Sequence, residues 1–269
     1  MNAFEKLISA TEKNKTLLCV GLDTDIDKIP SQFKGSLNGI LDFNKAIIDA
    51  TSDLVNSYKL NFAFYEQYGI EGMVILKKTI EHIPNHILKI ADAKRGDIGN
   101  TSRSYAKAAF EAFACDAITV SPYMGEDSIK PFLEYKDKLT FVLCLTSNEG
   151  SNDFQRLSSE GKPLYKSVME KTMQWGNKEQ VGYVVGATHP NELKELREIA
   201  PENPFLIPGI GAQGGDLEAT LKANNNAPAM INASRAVIYA SSGLDFAEKA
   251  RQKAIEYQMS MLNFSVQLL

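Results

Sequence analysis

Two groups of polar residues have the types and spacing to do chemistry. The first is Asp92-x-Lys94-x-x-Asp97, set in Ile90-Ala91-Asp92-Ala93-Lys94-Arg95-Gly96-Asp97-Ile98-Gly99-Asn100-Thr101-Ser102, with two carboxylates and an ammonium within six residues. Side chains two apart on a strand share a face. Asp92 and Lys94 therefore point together into whatever the strand end faces, while Ala91 and Ala93 leave the other face open to close helix packing. Asp97 has the opposite parity and lies among two glycine hinges, Gly96 and Gly99, so it need not join the same pocket. A lone Asp-x-Lys is as a rule a strand-end ion pair beside a solvated turn, and only its surroundings can make it more.

The second group is Gly209-Ile210-Gly211-Ala212-Gln213-Gly214-Gly215-Asp216 together with Asn232-Ala233-Ser234-Arg235. Glycines let backbone N–H groups approach an anion, Gln213 adds a side-chain donor, and Arg235 can pair bidentately with phosphate oxygens. Tight turns also use glycine, and an arginine can serve in an exposed ion pair, but together these residues fit a phosphorylated small substrate. Upstream, Asp23 ends the apolar run Leu17–Leu22 and either caps a turn with Asp25 and Asp27 or faces a ligand. Lys59 and Asn61 share a face of the run Tyr58–Tyr65, where a buried lysine needs an acid partner or a shifted pKa.

Eight strand-then-helix units position these groups. A short amphipathic helix over 2–14 comes first, then an apolar run over 17–23 and a long helix over 37–55 that Asn44 interrupts. A strand over 58–65, a helix over 72–83 and the strand 86–94 follow, with Asn100-Thr101-Ser102 offering N-cap chemistry to a helix over 103–113. Strands over 117–123 and 140–147 precede a polar segment, 148–161, whose Ser, Asn and Gly suggest a mobile loop. After a helix over 163–175 come strands over 182–187, 204–209 and 228–233, and a last helix from 246 to about 262. Near-continuous apolar strands alternating with amphipathic helices imply a parallel sheet covered by helices. Eight units with no linker between them predict one (β/α)8 TIM barrel domain spanning 1–269, with a short N-terminal helix. In such barrels the site lies at the C-terminal strand ends, with phosphate beside strands seven and eight. Asp23, Lys59, Asp92, Lys94, Ser147 and Gln213 all fall at strand ends.

Bulk properties narrow the partners. A net charge of -4 leaves no basic excess for nucleic acid. No apolar run approaches the roughly 18 residues of a membrane span, and Met1–Lys6 lacks the pattern of a signal peptide, so a cytoplasmic protein is expected. Cys19, Cys115 and Cys144 are odd in number and set in apolar runs, which suits buried thiols, and His82, His86 and His189 show no ligand spacing. No metal site is expected.

Asp92-Ala93-Lys94-Arg95-Gly96-Asp97-Ile98-Gly99-Asn100-Thr101 resembles the Asp-x-Lys-x-x-Asp signature of orotidine 5'-phosphate decarboxylase. Gly21-Leu22-Asp23, Lys59-Leu60-Asn61, the Pro208–Gly215 segment and Asn232–Arg235 are similar to the longer, type 2 bacterial branch of that family. The resemblance implies cofactor-independent conversion of orotidine 5'-monophosphate to UMP and carbon dioxide, the last step of de novo pyrimidine synthesis. It implies Lys94 as proton donor to C6 within a network of Lys59, Asp92, Lys94 and Asp97, with Asp23 on the ribose, Ser147 on the pyrimidine, and Gln213 and Arg235 on the phosphate. It also implies a homodimer in which Asp97 and Thr101 cross to the neighbouring site. Two alternatives use part of the same pattern: a Mg²⁺-dependent sugar-phosphate decarboxylase or aldolase of the same barrel group, and a non-catalytic phosphometabolite-binding barrel. The latter has no use for four charges at one strand-end cluster, where desolvation costs energy without aiding binding to a neutral base.

Overall fold

A computed structural model of the chain describes residues 1–211 and 214–267. Its centre is a closed ring of parallel strands: β1 (Leu18–Gly21), β2 (Ser57–Asn61), β3 (Leu88–Arg95), β4 (Ala117–Val120) and β5 (Leu139–Leu145). A small antiparallel ribbon, β6 (Ser158–Ser159) with β7 (Lys162–Pro163), interrupts the series. The ring then resumes with β8 (Val181–Val185), β9 (Phe205–Pro208) and β10 (Ala229–Ala233), and closes where β10 pairs with β1, Ile231 opposite Leu18. This is the (β/α)8 barrel that the eight apolar runs predict. β4, β8 and β10 are buried along their whole length, as expected when helices cover the outside and side chains fill the inside.

Helix α1 (Ala3–Asn14) closes the N-terminal end of the barrel. Asn2 and Glu5 form a reciprocal capping box, which satisfies the donors at the first turn. The other turns present Ala3 and Leu7 to a buried cluster with Cys19, Leu88, Leu139 and Phe141. Lys6 reaches Asp116, just before β4, at 2.7 Å. The result is a stopper of apolar residues held by an ion pair.

The outer helices position the opposite end. α2 (Asn38–Thr51) buries Ile40, Leu41, Phe43, Ile47 and Ile48 on one face. Asn44, in the same stripe, is fully buried. Its carbonyl accepts from Thr24 Oγ1 at 2.6 Å, and its amide donates to Tyr65 OH at 3.0 Å, which in turn donates to Leu22 O at 2.8 Å. The polar interruption of the helix therefore braces both sides of Asp23.

Tyr65 holds that position because Phe62-Ala63-Phe64-Tyr65 does not continue β2 as expected. The chain turns after Asn61, whose side-chain oxygen accepts Ala63 N–H at 3.2 Å, and forms α3 (Ala63–Glu66) and then α4 (Gly69–His82). The next helix also starts earlier than predicted. α5 (Gly99–Lys107) begins after Ile98 with no side-chain cap, so Asn100, Thr101 and Ser102 lie within its first turn; a wider π turn over Ala108–Ala112 extends it.

α6 (Glu126–Leu133) packs beside α5. The 148–161 segment, expected to lack regular structure, contains α7 (Ser151–Phe154) and half of the small ribbon. α8 (Leu164–Thr172), α9 (Pro190–Ile199), α10 (Leu217–Asn224), α11 (Arg235–Ile238) and α12 (Phe246–Gln267) complete the outer layer. From α9, Arg197 reaches under the N-terminal ends of β9 and β10, donating to Asn203 O at 2.6 Å and Asn224 Oδ1 at 2.8 Å with its guanidinium stacked over Phe205. Among the described residues no helix is long and apolar enough to cross a membrane.

Candidate active site

A cavity of about 480 Å³ opens at the C-terminal end of the strands. Asp23, Lys59, Asp92, Lys94, Ser147 and Arg235 all line it. Thr101 and Asp97 do not: Thr101 is exposed on α5, and the half-buried Asp97 accepts only the N–H of its neighbour Ile98, at 2.8 Å. Gln213 lies outside the described residues.

The charges form a continuous chain. Lys59 Nζ donates to Asp92 Oδ2 at 3.0 Å and to Asp23 Oδ1 at 3.2 Å, while Lys94 Nζ donates to the other Asp92 oxygen at 2.6 Å. Asp23 is therefore no turn cap. It also accepts from Ser234 Oγ at 3.0 Å and from Asn61 N–H at 3.3 Å. The two ammoniums differ in freedom: the Lys59 side chain is 4% exposed and that of Lys94 49%. Lys59 is locked between carboxylates, whereas Lys94 presents its head to the cavity.

The protonation states follow from these contacts. Burial alone would push the Lys59 ammonium down, but Asp23 and Asp92 outweigh it and its pKa lies well above that of ordinary lysine. Burial would likewise raise the Asp92 carboxyl, but Lys59 and Lys94 hold it far below the usual carboxylate range. Asp92 is therefore held as an anion at neutral pH. Within the chain, two carboxylates and two ammoniums cancel.

Lys94 reaches its position through an irregular backbone. Its φ is +48°, a left-handed conformation rare for a residue with a Cβ and costing roughly 1–2 kcal/mol. The step from Ala91 to Arg95 on β3 is matched by only Ile118 to Val120 on β4, so the ladder slips around Lys94. Its N–H goes instead to Thr119 Oγ1 at 3.0 Å, and that hydroxyl donates to Asp92 Oδ1 at 3.1 Å. Arg95 is turned outward, ion-paired with Glu66 and lying over Phe62 and Tyr105.

The rest of the wall divides by chemistry. Leu143, Val184 and Leu206 form an apolar patch, and Ser147 sits above it. A Cβ at Gly186 would come within 2.5 Å of Ser147 Oγ, so glycine makes room for that serine. The adjacent Thr146 is held by Gln155, which accepts its N–H and donates to its hydroxyl, both at 2.8 Å. Ser147 Oγ donates to Pro208 O at 3.4 Å, and in the turn that follows Gly209 and Gly211 take φ of +108° and +74°, with Gly215 N–H returning to Gly209 O at 3.1 Å. Arg235 opens α11 beside this turn and forms no ion pair among the described residues. Tyr239 OH accepts Asp25 N–H at 2.7 Å and so fixes the loop after β1.

Sequence reasoning missed Thr119 and Tyr239 as wall residues, and quoted Asn232 and Ser234 beside Arg235 without giving them a role. The shared parity of Asn232 on β10 and Ser234 just after it was the one available signal. Among the described residues no group of three or more His, Cys, Asp or Glu could hold a metal ion, and Cys19, Cys115 and Cys144 are free and buried.

Comparison with known proteins adds a further observation. The model for the orotidine 5'-phosphate decarboxylase / HUMPS family matches residues 16–252. The chain is 52% identical over 262 residues to an orotidine 5'-phosphate decarboxylase of Christiangramia forsetii, covering 96% of each chain. It is 51% identical over 254 residues to that of Flavobacterium johnsoniae, covering 93% of each. The solved structure of Leishmania donovani OMP decarboxylase superposes with a TM-score of 0.87 at 38% identity, over 98% of this chain and 99% of that one.

Proposed function

Since the chain belongs to the orotidine 5'-phosphate decarboxylase family and its reaction is the decarboxylation of orotidine 5'-monophosphate in pyrimidine biosynthesis, we propose that Lys94 is the acid that protonates C6. The observation that carries this role is the asymmetry of the two lysines around Asp92: one is buried and held by two carboxylates, the other half exposed and bound to one. As the bond from C6 to the carboxylate breaks, its electron pair stays on C6. The Lys94 ammonium stabilises that charge and transfers a proton to it, leaving a neutral amine that water reprotonates. Asp92 pairs with Lys94 beforehand, Lys59 and Lys94 keep Asp92 ionised, and Asp23 keeps Lys59 charged. The positive charge comes from the chain's own lysines, so activity is expected to survive EDTA.

In this reading Asp23 meets the ribose, Ser147 the pyrimidine, and Arg235 and Gln213 the phosphate, which the positions of Asp23, Ser147 and Arg235 on the cavity wall support. Phosphate binding, remote from C6, supplies energy that can hold the base against the charged chain. The partner in our reading is a second copy. Asp97 faces away from its own cavity, and Ile98, Tyr105, Tyr123 and Met124 are exposed around the loops that follow β3 and β4. Such an apolar surface is what an isologous interface would cover, bringing Asp97 and Thr101 to the neighbour's site. Three buried, unpaired thiols suit the reducing cytoplasm in which we place the enzyme.

The deciding experiment follows the ultraviolet change of orotidine 5'-monophosphate with EDTA present, comparing wild type with Lys94→Ala. Turnover by the wild type and its loss in the folded variant support Lys94 as the acid; an active variant refutes that role. For the dimer, Lys94→Ala and Asp97→Ala subunits are mixed after separate purification. Exchange should restore about a quarter of wild-type activity through one intact site per mixed dimer, and no restoration after demonstrated exchange would count against crossing residues.

A further inference from the structure

The slip of β3 against β4 leaves the Lys94 N–H without a backbone acceptor, and Thr119 takes it up. Thr119 is 1% exposed, on β4, between Ile118 and Val120 of the outer core. A hydroxyl has one proton to give. The Lys94 N–H can only donate, at 3.0 Å, so the Thr119 proton is left for Asp92 Oδ1 at 3.1 Å, the same oxygen that receives Lys94 Nζ at 2.6 Å. One hydroxyl thus ties the backbone of the lysine to the carboxylate its side chain grips.

We propose that Thr119 is a positioning residue for decarboxylation: it holds Lys94 in its left-handed conformation and turns Asp92 toward the Lys94 ammonium. Packing gives no reason for a hydroxyl at this position. Thr119 lines the cavity together with the apolar Leu143 and Val184, and valine suits a strand as well as threonine does. The hydroxyl matters because a non-glycine residue with positive φ persists only when its surroundings over-determine it. Without Thr119, the Lys94 N–H would have to find another partner, and the ammonium at the end of that residue would move.

The inference rests on Lys94 as the proton donor, so wild type and Lys94→Ala are measured alongside Thr119→Val and Thr119→Ser. Thr119→Val is expected to lower kcat about 10- to 100-fold, the effect of losing hydrogen bonds to a charged group, while KM and the Kd for UMP stay near wild type. Thr119→Ser, which keeps the hydroxyl, is expected to recover most of kcat. Full activity in Thr119→Val overturns the inference. So does a serine variant as slow as the valine one, or a loss of UMP binding in step with kcat, since either points to shape alone. If Thr119→Val does not fold, Thr119→Ala against Thr119→Ser makes the same comparison. An inactive wild type or an active Lys94→Ala would instead overturn the reading beneath.

Discussion

Lys59 and Arg197 are both almost fully buried, at opposite ends of one barrel, and their surroundings differ in kind. Lys59 lies between two carboxylates, which raise its pKa against the effect of burial. Arg197 has no carboxylate partner among the described residues: carbonyl oxygens and the Asn224 amide oxygen receive its Nη donors, and burial depresses its pKa. Dipoles fixed by backbone hold a cation in place but do not respond when another charge arrives. Carboxylates shared between two ammoniums can be redistributed, since any anion entering the cavity competes with Asp92 for Lys94. Charges compensate the buried Lys59 at the end with chemistry, and dipoles compensate the buried Arg197 at the end that holds the fold.

Changing each cation tests that contrast. Lys59→Met leaves Asp23 and Asp92 facing each other with Lys94 as the only counter-charge, and is expected to lower kcat/KM on the order of 10³-fold. Steady-state kinetics on the folded variant check this, and a loss under tenfold would make Lys59 another structural cation. Arg235→Ala sharpens the contrast, because among the described residues this arginine has no ion pair to break. We expect kcat/KM to fall about 10²-fold through the phosphate while the thermal midpoint stays put; a large drop in the midpoint would reveal a structural role.

Arg197→Met should show the reverse pattern. Stability is expected to fall by about 3 kcal/mol in urea titrations as buried acceptors lose their donor, with kcat of the folded enzyme unchanged; a changed kcat would couple the two ends. The smallest effect is a slope. The depressed pKa of Asp92 means that its ionised form stabilises the fold above the ordinary aspartate value of 3.8, and this contribution is lost as pH falls. Between pH 4 and 3, where the unfolded aspartate is on average about two-thirds protonated, the wild type should lose roughly 0.9 kcal/mol more than Asp92→Asn. Parallel acid titrations would contradict the assignment of that shift to Asp92.

The parts of the molecule that could be read from sequence are those whose partners lie close along the chain or whose burial is uniform. Eight apolar runs announce the ring because parallel strands are covered on both faces, and Asp92 and Lys94 line one cavity as expected, although Lys94 arrives there through a slipped ladder and not through regular alternation. The aromatic run Phe62–Tyr65 misleads because the side chain of Asn61 starts a helical turn there, a local contact that outweighs strand propensity. Asp23 could be read as cap or ligand, and the choice is made by Lys59 and Ser234, which come from distant strands. Thr119 carried no signal, because the slipped register that gives its hydroxyl a use is not marked by glycine or proline. The ribbon that begins within 148–161 was hidden for a similar reason: its turn at Glu160 and Gly161, both with positive φ, joins strands only two residues long.

The α1 stopper governs traffic as well as packing. With Ala3 and Leu7 wedged under the strands and Lys6 bound to Asp116, the barrel is a cup, and carbon dioxide must leave by the opening through which the nucleotide entered. A nascent gas molecule beneath a bound nucleotide has little room to diffuse away and can recombine with C6. Commitment to product then depends on a race between proton delivery and escape, and in the reading proposed for Lys94 the acid beside C6 would decide it before the exit clears.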